Sequence, residues 1–415
     1  MLSTANSPEA NLTIDVNPTI PLSAPDITEA EIAAVTAVLR TPHLSFGPEL
    51  AAFESALAEY HSVPHAVAVS SGTAGLQMAL LTLGIREGDE VIVPSFTFIA
   101  VANAVVLAGA TPVFADIDPI SLNLTAETVE RVLTPRTRAI LAVHTFGIPA
   151  DMIALRDLAT RHNLALIEDA SEAIGAELHG RRAGSFGDLA IFGFYPNKQI
   201  TTGEGGAVLA QTQAHADRLR ALRNQGRGPS APDTRSCTAL NPSSTDWLHH
   251  PDIGFNYRLS DIACALGRIQ LSRIEEILSL RRAAAERYHA LLTEIPGLEL
   301  PPLTLPHRVI SWFVYVVRLR EPSHRAPVQT LLAKNGIASA AYFAPIHRQP
   351  AWRNLTSDPA TLPATNSIGS RTLALPFFTR ITSEQQSRVA ATLRRAFERN
   401  FAEGSFSKAD VDMGK

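Results

Sequence analysis

Short apolar runs alternate with helical periodicity through the first half of the chain. Seven runs rich in Val, Ile, Leu and Ala, each bounded by Gly, Pro, Asp or Ser, predict β-strands. They cover residues 66–70, 90–94, 112–115, 139–143, 164–167, 189–194 and 206–209. Helical patterns near residues 73–83, 97–108, 125–133 and 151–162 separate the first five runs. This β–α repeat predicts an α/β fold with a mostly parallel, seven-stranded sheet between helices, which binds ligands at the carboxyl ends of its strands.

Two helices are predicted ahead of the first strand. Thr28 and Glu31 match the S/T-x-x-E capping box that begins a helix. The apolar positions Ile32, Val35 and Leu39 lie on one face of this helix. A second helix is predicted from about Pro48.

The second half of the chain has a different pattern. Residues 226–252 are rich in Pro, Ser, Gly and Asp and lack periodicity, which indicates a flap or a partner-contacting loop. A long helix is predicted over residues 259–293. After the break PGLELPPLTLP we expect a smaller α+β unit, with strands at 312–319 and 338–343 and helices at 327–334 and 384–399.

These patterns divide the 415 residues into four parts. We expect an N-terminal arm over residues 1–25 and a large α/β domain over residues 26–270. A smaller C-terminal α+β domain is expected over residues 271–402, followed by a disordered tail over residues 403–415.

Composition excludes several functions. The net charge is −4 and the chain has no Lys/Arg run, so we expect no nucleic-acid binding. The N-terminus lacks a basic and apolar leader, and no apolar run is long enough to span a bilayer, so we expect no membrane association. The two cysteines, Cys237 and Cys264, are too few for a disulfide framework and lack partners for a metal site. We therefore expect a cytoplasmic protein without a metal.

Lysine is scarce in this chain. Among 36 basic residues the lysines are Lys198, Lys334, Lys408 and Lys415. Lys198 alone lies in the first 333 residues, in the segment FYPNKQITTGEGG between two predicted strands and before a Gly-rich turn. Lysine differs from arginine in that burial can deprotonate its amine, which can then form an imine. The alternative interpretation, a surface loop lysine, fits poorly with this scarcity.

Two further features accompany Lys198. Residues 70–73 (SSGT) join a predicted strand to a helix, where backbone N–H groups can bind phosphate; an ordinary helix cap explains them equally well. Asp169 ends a predicted strand and could hold a proton on a heteroaromatic nitrogen, although by itself a capping role is the better explanation. An amine, a carboxylate and a phosphate site together are what pyridoxal 5'-phosphate (PLP) chemistry requires.

Six segments also resemble a known family: SSGTAGLQMAL, DEVIVPSFTFIAVANAV, LIEDASEAIGA, FGFYPNKQITTGEGG, GFNYRLSDIACAL and APIHRQP. Together they are similar to the DegT/DnrJ/EryC1/StrS sugar aminotransferases, from about residue 20 to residue 399. The resemblance implies a fold-type I PLP enzyme that is a homodimer with shared active sites. It also implies transfer of an amino group from glutamate to a keto-sugar, usually nucleotide-linked, with pyridoxamine phosphate as the intermediate form of the cofactor.

The resemblance implies roles for the cofactor residues. Lys198 matches the lysine that forms the internal aldimine and then moves the proton, and Asp169 matches the partner of the ring nitrogen. Phe98 matches the aromatic position that stacks on the cofactor ring; without the resemblance it would be read as a core residue of a helix. Gly72 and Thr73 match the phosphate contacts.

Further matches concern the edges of the site. Asn256 matches the residue that reaches the phosphate from the neighbouring subunit, and Arg258 is a candidate contact in trans for a carboxylate or for the substrate. Glu172 stands where many relatives have Gln or His beside the cofactor oxygen. Gly193 stands where a Ser hydroxyl often meets the phosphate, which implies greater reliance on the helix N-terminus and on Asn256. His347 is a candidate for the sugar side, although a lone His between prolines is more often structural.

Two segments, SWFVYVVRL and GIASAAYFAPIHRQP, resemble the members that act at C4 of a 4-keto-6-deoxy sugar nucleotide, such as perosamine synthases. The presence of Lys198 argues against the sugar dehydratases of the family, in which His replaces Lys. Two alternatives stay open: an inosose aminotransferase or aminohydroxybenzoate synthase, and a regulatory relative that binds PLP without catalysis.

Overall fold

The computed structural model describes residues 19–227, 249–352 and 362–402. The predicted tail, most of the predicted arm and most of the loop predicted over residues 226–252 lie outside the described residues. Within the described ranges, no helix is both long and apolar enough to cross a bilayer.

The helices and strands follow each other in the predicted alternation. The described strands are β1 (His65–Val69), β2 (Glu90–Pro94), β3 (Thr111–Ala115), β4 (Thr137–Val143), β5 (Ala165–Asp169), β6 (Glu177–Leu178), β7 (Arg181–Arg182), β8 (Leu189–Gly193), β9 (Gly206–Ala210), β10 (Leu298–Glu299), β11 (Arg308–Val309), β12 (Tyr315–Leu319) and β13 (Thr372–Leu375). The described helices are α1 (Glu29–Leu39), α2 (Pro48–His61), α3 (Gly72–Thr82), α4 (Ala100–Leu107), α5 (Ala126–Glu130), α6 (Met152–His162), α7 (Gln213–Arg223), α8 (Asp261–Ser272), α9 (Ile274–Leu292), α10 (Arg325–Lys334), α11 (Pro363–Arg371) and α12 (Ser383–Ala402).

The seven strands predicted in the first half form one sheet, in the order β1-β9-β8-β5-β4-β2-β3. Strand β9 is antiparallel to both of its neighbours, and the other pairs are parallel. Alternate residues of β1 face opposite sides of the sheet: Val67 and Val69 pack with α3, α4 and α7, and Ala66 and Ala68 pack with α2 and α8. The expected mostly parallel α/β sheet between helices is therefore confirmed.

The C-terminal region has its own small sheet, in which β12 lies between β10 and β13 and packs against α9, α10 and α12. The strand predicted over residues 338–343 does not form. Ala340 alone forms a bridge, through two backbone hydrogen bonds with Ala374 of 3.2 and 2.7 Å. Strand β13 pairs with β12 instead, and Tyr342 and Phe343 leave the sheet to line a cavity.

The single helix predicted over residues 259–293 is divided at Arg273 into α8 and α9. The Arg273 backbone has φ −101° and ψ 8°, outside the helical range. Its guanidinium binds the carboxylates of Asp26 and Glu31, each at 2.7 Å. The helix therefore breaks at an ion-pair cluster in which Arg273, at the junction between α8 and α9, binds Asp26 and Glu31 near the start of the described chain.

The capping box of Thr28 and Glu31 is present, but the apolar face of α1 is not its buried face. Ile32 and Leu39 are 50% and 57% exposed, whereas Glu31 and Val38 are buried. The Glu31 carboxylate accepts hydrogen bonds from Gln270 Nε2 at 2.8 Å and from Arg273. This buried polar contact fixes the orientation of α1 and leaves the predicted apolar face at the surface of the chain.

Candidate active site

A cavity of about 740 Å³ lies at the carboxyl ends of β1, β2, β4, β5 and β8. Its volume is in the range of cofactor and ligand pockets. The residues predicted from the sequence that line it are Gly72, Thr73, Phe98, Asp169, Glu172 and Lys198. The sheet edge that the β–α pattern favoured for ligands is therefore where this cavity lies.

Lys198 lies in the connection between β8 and β9, beyond the end of β8. Its backbone N–H donates to the carbonyl of Tyr195 at 2.9 Å, so the segment turns tightly there. The Lys198 side chain is largely buried. Its Nζ atom lies 3.5 Å from Glu172 Oε1 and 4.0 Å from the ring centroid of Phe313. The amine is thus held between a carboxylate and an aromatic face, inside the cavity.

Glu172 is buried beside this amine. Burial raises the pKa of its carboxyl group, while Lys198 and the backbone N–H of Phe146, which donates to Glu172 Oε2 at 2.9 Å, oppose that shift. The net direction is upward. Protonation of Glu172 is therefore more favourable than that of an exposed glutamate.

Strand β5 ends in two carboxylates, Glu168 and Asp169, whose surroundings differ. Glu168 accepts hydrogen bonds from His144 Nε2 at 3.0 Å and from the backbone N–H of Gly184 at 2.7 Å and Phe186 at 2.6 Å. Burial acts to raise the pKa of Glu168, but these hydrogen bonds outweigh it and the pKa is lowered. Glu168 therefore fixes a neighbouring turn, and Asp169 is the carboxylate that faces the cavity.

A phosphate-sized anion could bind at the start of α3. Gly72 is the first residue of this helix, and the hydroxyl of Ser71 accepts a hydrogen bond from the Ala74 N–H at 3.1 Å. The backbone N–H groups of Gly72 and Thr73 are therefore not used by the cap and lie at the positive end of the helix dipole. Gly206 packs so closely that a Cβ atom there would lie 2.7 Å from Gly72 N.

Aromatic side chains form the remaining walls. Phe98 precedes α4 and is 60% exposed at the cavity, so it is not a core residue of a helix. Phe313, Tyr342 and Phe343 approach from the C-terminal region, and Phe343 packs on Phe146 with ring centroids 5.3 Å apart. These three could not be recognised as site residues from the sequence, because apolar aromatic residues beside a predicted strand are indistinguishable from ordinary core residues.

Asn256 and Arg258 do not line this cavity in their own chain. Asn256 is exposed and forms a backbone bridge with Asn224, whose side-chain oxygen accepts a hydrogen bond from Arg258 Nη1 at 3.0 Å. Burial, followed by repulsion from Arg227 and Arg223, lowers the pKa of Arg258. Their predicted action in a neighbouring subunit stays a prediction.

His347 is buried away from the lining of the cavity. Its Nδ1 lies 2.7 Å from Ser95 Oγ, and its Nε2 lies 3.0 Å from Asn366 Oδ1. Both ring nitrogens are therefore used in hydrogen bonds that connect the segment after β2 to α11. This placement matches the structural interpretation of a histidine between prolines, and it differs from the expected position on the sugar side.

The donor set of the cavity fits PLP. Lys198 offers a primary amine for the aldehyde, Asp169 a carboxylate for the ring nitrogen, and the first turn of α3 offers N–H groups for the phosphate. Phe98 offers an exposed ring that can cover the cofactor ring. These are the groups by which a protein binds PLP and directs its chemistry.

The fold and this cavity define a PLP-dependent aminotransferase. The chain belongs to the DegT/DnrJ/EryC1/StrS aminotransferase family, whose model matches residues 25–394. It is thus a PLP-dependent sugar aminotransferase, as its sequence segments indicated.

Individual relatives agree with this membership. GDP-perosamine synthase of Caulobacter vibrioides is 39% identical over 380 residues, which cover 91% of this chain and 98% of the relative. The erythromycin biosynthesis sensory transduction protein EryC1 of Saccharopolyspora erythraea is 37% identical over 84% of this chain and 90% of its own. The crystal structure of DesV from S. venezuelae superposes with a TM-score of 0.81 at 37% identity, and covers 92% of this chain and 99% of its own.

Proposed function

We propose that the protein transfers the amino group of glutamate to C4 of a GDP-linked 4-keto-6-deoxy sugar. Glutamate leaves as 2-oxoglutarate, and the amino group replaces the keto oxygen of the sugar. The observation that supports amino transfer most directly is the amine of Lys198 inside a cavity that also presents Asp169 and the N-terminus of α3. The similarity to a GDP-perosamine synthase supports the choice of nucleotide and sugar.

PLP, when bound, condenses with primary amines and withdraws electrons from the adjacent carbon. In this proposal Lys198 Nζ takes the proton from the α-carbon of glutamate, and in the second half-reaction it returns one to the sugar carbon that receives the amino group. Asp169 holds the proton on the ring nitrogen. Phe98 covers the ring, and the N–H groups of Gly72 and Thr73 hold the phosphate.

Glu172 has an acid–base role in this proposal. It lies 3.5 Å from Lys198 Nζ, and burial raises its pKa. It can therefore hold a proton that the amine has released, and return it. An amide at this position would bind the same neighbours but could not exchange a proton.

The expected homodimer also belongs to this proposal. In the single chain, the apolar side chains of Ile32 and Leu39 in α1 are 50% and 57% exposed. Asn256 and Arg258 do not line the cavity of their own chain. A second subunit would cover the first pair and use the second pair in trans. Mixing Lys198→Ala and Arg258→Ala chains tests this, because exchanged dimers should recover activity in one of their two sites. No recovery, or a monomer in light scattering, would contradict it.

The acceptor is tested with the purified chain, PLP and glutamate. Mass spectrometry is used to detect amination of GDP-, dTDP- and UDP-linked 4-keto-6-deoxy sugars and of an inosose. We expect the wild type to aminate the GDP-linked sugar. Lys198→Ala should show neither turnover nor the absorbance band of the Lys198-bound cofactor. Preferential amination of the inosose would instead support an inosose aminotransferase, which is part of the first alternative that the sequence leaves open.

The regulatory alternative is favoured by one observation, the similarity to EryC1, a relative named as a sensory transduction protein. It predicts PLP binding without conversion of glutamate to 2-oxoglutarate. Production of 2-oxoglutarate in a single turnover excludes it.

A cytoplasmic location stays a prediction, supported by the scarcity of cysteine and by Cys264, which is a free buried thiol.

A further inference from the structure

The phosphate end of the cavity is built around three glycines. Gly72 begins α3, and Gly193 and Gly206 pair across β8 and β9. A Cβ atom on Gly206 would lie 2.7 Å from Gly72 N, so position 206 requires glycine. A Cβ atom on Gly193 would have no neighbour nearer than 3.4 Å, which is ordinary contact distance. The structure therefore permits serine at position 193, where this chain has no hydroxyl to offer a phosphate.

Ser171 lies directly beside that position. Its Oγ atom is 3.5 Å from the place of a Cβ atom on Gly193, and equally 3.5 Å from the place of one on Gly72. Ser171 also lines the cavity together with both glycines. Its hydroxyl thus occupies the region that a Gly193→Ser side chain would reach, next to the first N–H groups of α3.

The backbone of Ser171 is fixed by Asp169, the carboxylate that faces the cavity. The Ser171 N–H donates to Asp169 Oδ1 at 3.0 Å. Ser71, the other serine at this end, already accepts a hydrogen bond as the cap of α3. Among the described residues, the Ser171 hydroxyl has no hydrogen-bond partner, so it is free to donate into the cavity.

We propose that Ser171 Oγ donates a hydrogen bond to the phosphate of bound PLP and so replaces the hydroxyl that position 193 lacks. A hydroxyl that donates to a phosphate dianion forms a short, charge-assisted hydrogen bond. This inference rests on the PLP-dependent function proposed above, and deepens it by naming a further phosphate contact. It also assigns Asp169 a second task, which is to orient the residue that holds the other end of the cofactor.

The test compares two probes, PLP and pyridoxal, which lacks the phosphate. Their dissociation constants are measured by absorbance titration of the apoprotein, for the wild type, Ser171→Ala, Gly193→Ser and the double variant. We expect Ser171→Ala to weaken PLP binding roughly 10- to 100-fold, the effect of losing a hydrogen bond to a charged group. Pyridoxal binding should not change. Gly193→Ser in the Ser171→Ala background should restore most of the loss.

Two results would overturn the inference. One is unchanged PLP binding by Ser171→Ala. The other is equal weakening of PLP and pyridoxal, which would mean that Ser171 only supports Asp169 or the local fold. Failure of the proposed function has a different signature: the wild type would not develop the cofactor absorbance band, or Lys198→Ala would keep it, whatever Ser171→Ala does.

Discussion

Lys198 Nζ lies 3.5 Å from Glu172 Oε1, and both side chains are largely withdrawn from solvent. The carboxylate is fixed on its other side by the backbone N–H of Phe146. The geometry joins the amine of Lys198 to an ionisable partner inside the cavity. The positive charge of Lys198 therefore acts against the effect of burial on the Glu172 carboxyl group.

Replacing Lys198 by Met should raise the pKa of the Glu172 carboxyl group further, because the positive charge 3.5 Å away is one of the influences that oppose the effect of burial. We expect a larger protonated fraction of Glu172 in the Lys198→Met apoprotein at a given pH. Infrared difference spectra, with Glu172→Gln as the reference, measure the protonated carboxyl group.

Lys334→Met is the matched control, because Lys334 is exposed at the end of α10 and does not line the cavity. It should leave the protonated fraction of Glu172 unchanged. An equal change in both variants would attribute the effect to the overall charge of the protein, and no change in Lys198→Met would refute the coupling.

Phe313 should stabilise the charged amine through its ring. Phe313→Leu removes the aromatic face 4.0 Å from Nζ, an interaction of about 0.5–2 kcal/mol. In a double-mutant cycle with Lys198→Met, urea unfolding should give a coupling energy of that size for Phe313→Leu and almost none for Phe313→Tyr, which keeps the ring. If Tyr and Leu behave alike, Phe313 acts by packing alone.

Gly147→Ala should be strongly destabilising. Gly147 has φ +82°, and a Cβ atom there would lie 1.7 Å from the backbone oxygen of Ser311. We expect a loss of about 3 kcal/mol or more in the free energy of unfolding, from backbone strain plus the clash. Gly180→Ala isolates the strain, because φ is +74° and nothing lies within 4 Å; it should cost about 1–2 kcal/mol. Equal losses in the two variants would mean that the contact with Ser311 is unimportant.

Glu31 should contribute to stability only above acid pH. Burial acts to raise its pKa, but hydrogen bonds from Thr28, Arg273 and Gln270 outweigh it and lower the pKa to about 2, from an ordinary 4.5. A carboxyl group with a lowered pKa in the folded state stabilises above pH 4.5 and loses that contribution as the pH falls to 2.

Glu31→Gln should therefore lower the free energy of unfolding by about 2 kcal/mol or more at neutral pH, and by less near pH 3. Urea titrations at several pH values measure the difference. Glu29→Gln, an exposed position of the same helix, should show no such trend. A pH-independent difference for Glu31→Gln would contradict the argument.

The large sheet could be predicted because its strands are buried on both faces. Short continuous apolar runs that are bounded by Gly or Pro and alternate with amphipathic helices are typical of a parallel sheet buried on both faces. The capping box of Thr28 and Glu31 is likewise a local signal. The burial of Glu31 and the break at Arg273 could not be predicted. They depend on contacts between residues more than 200 positions apart, such as Arg273 with Asp26.

The same distinction holds for the site. Lys198 and Asp169 were predictable from their chemistry at strand ends, where position indicates orientation. Phe313, Tyr342 and Ser171 were not, because a side chain of ordinary type becomes a site residue only through its placement. His347 shows the reverse: its residue type suggested chemistry, and its two hydrogen bonds give it a structural place.

The position of β9 has a consequence for the order of folding. Strand β1 pairs only with β9 in the large sheet, and Val69 meets Gly206 about 140 residues later in the chain. At ordinary rates of synthesis those residues take about 10 to 30 s to emerge from the ribosome. During that interval the first turn of α3 lacks its neighbour Gly206 of β9. The cofactor-binding region is thus among the last parts of the domain to be completed, and a nascent chain that stops short of β9 would leave the edge of β1 open to aggregation.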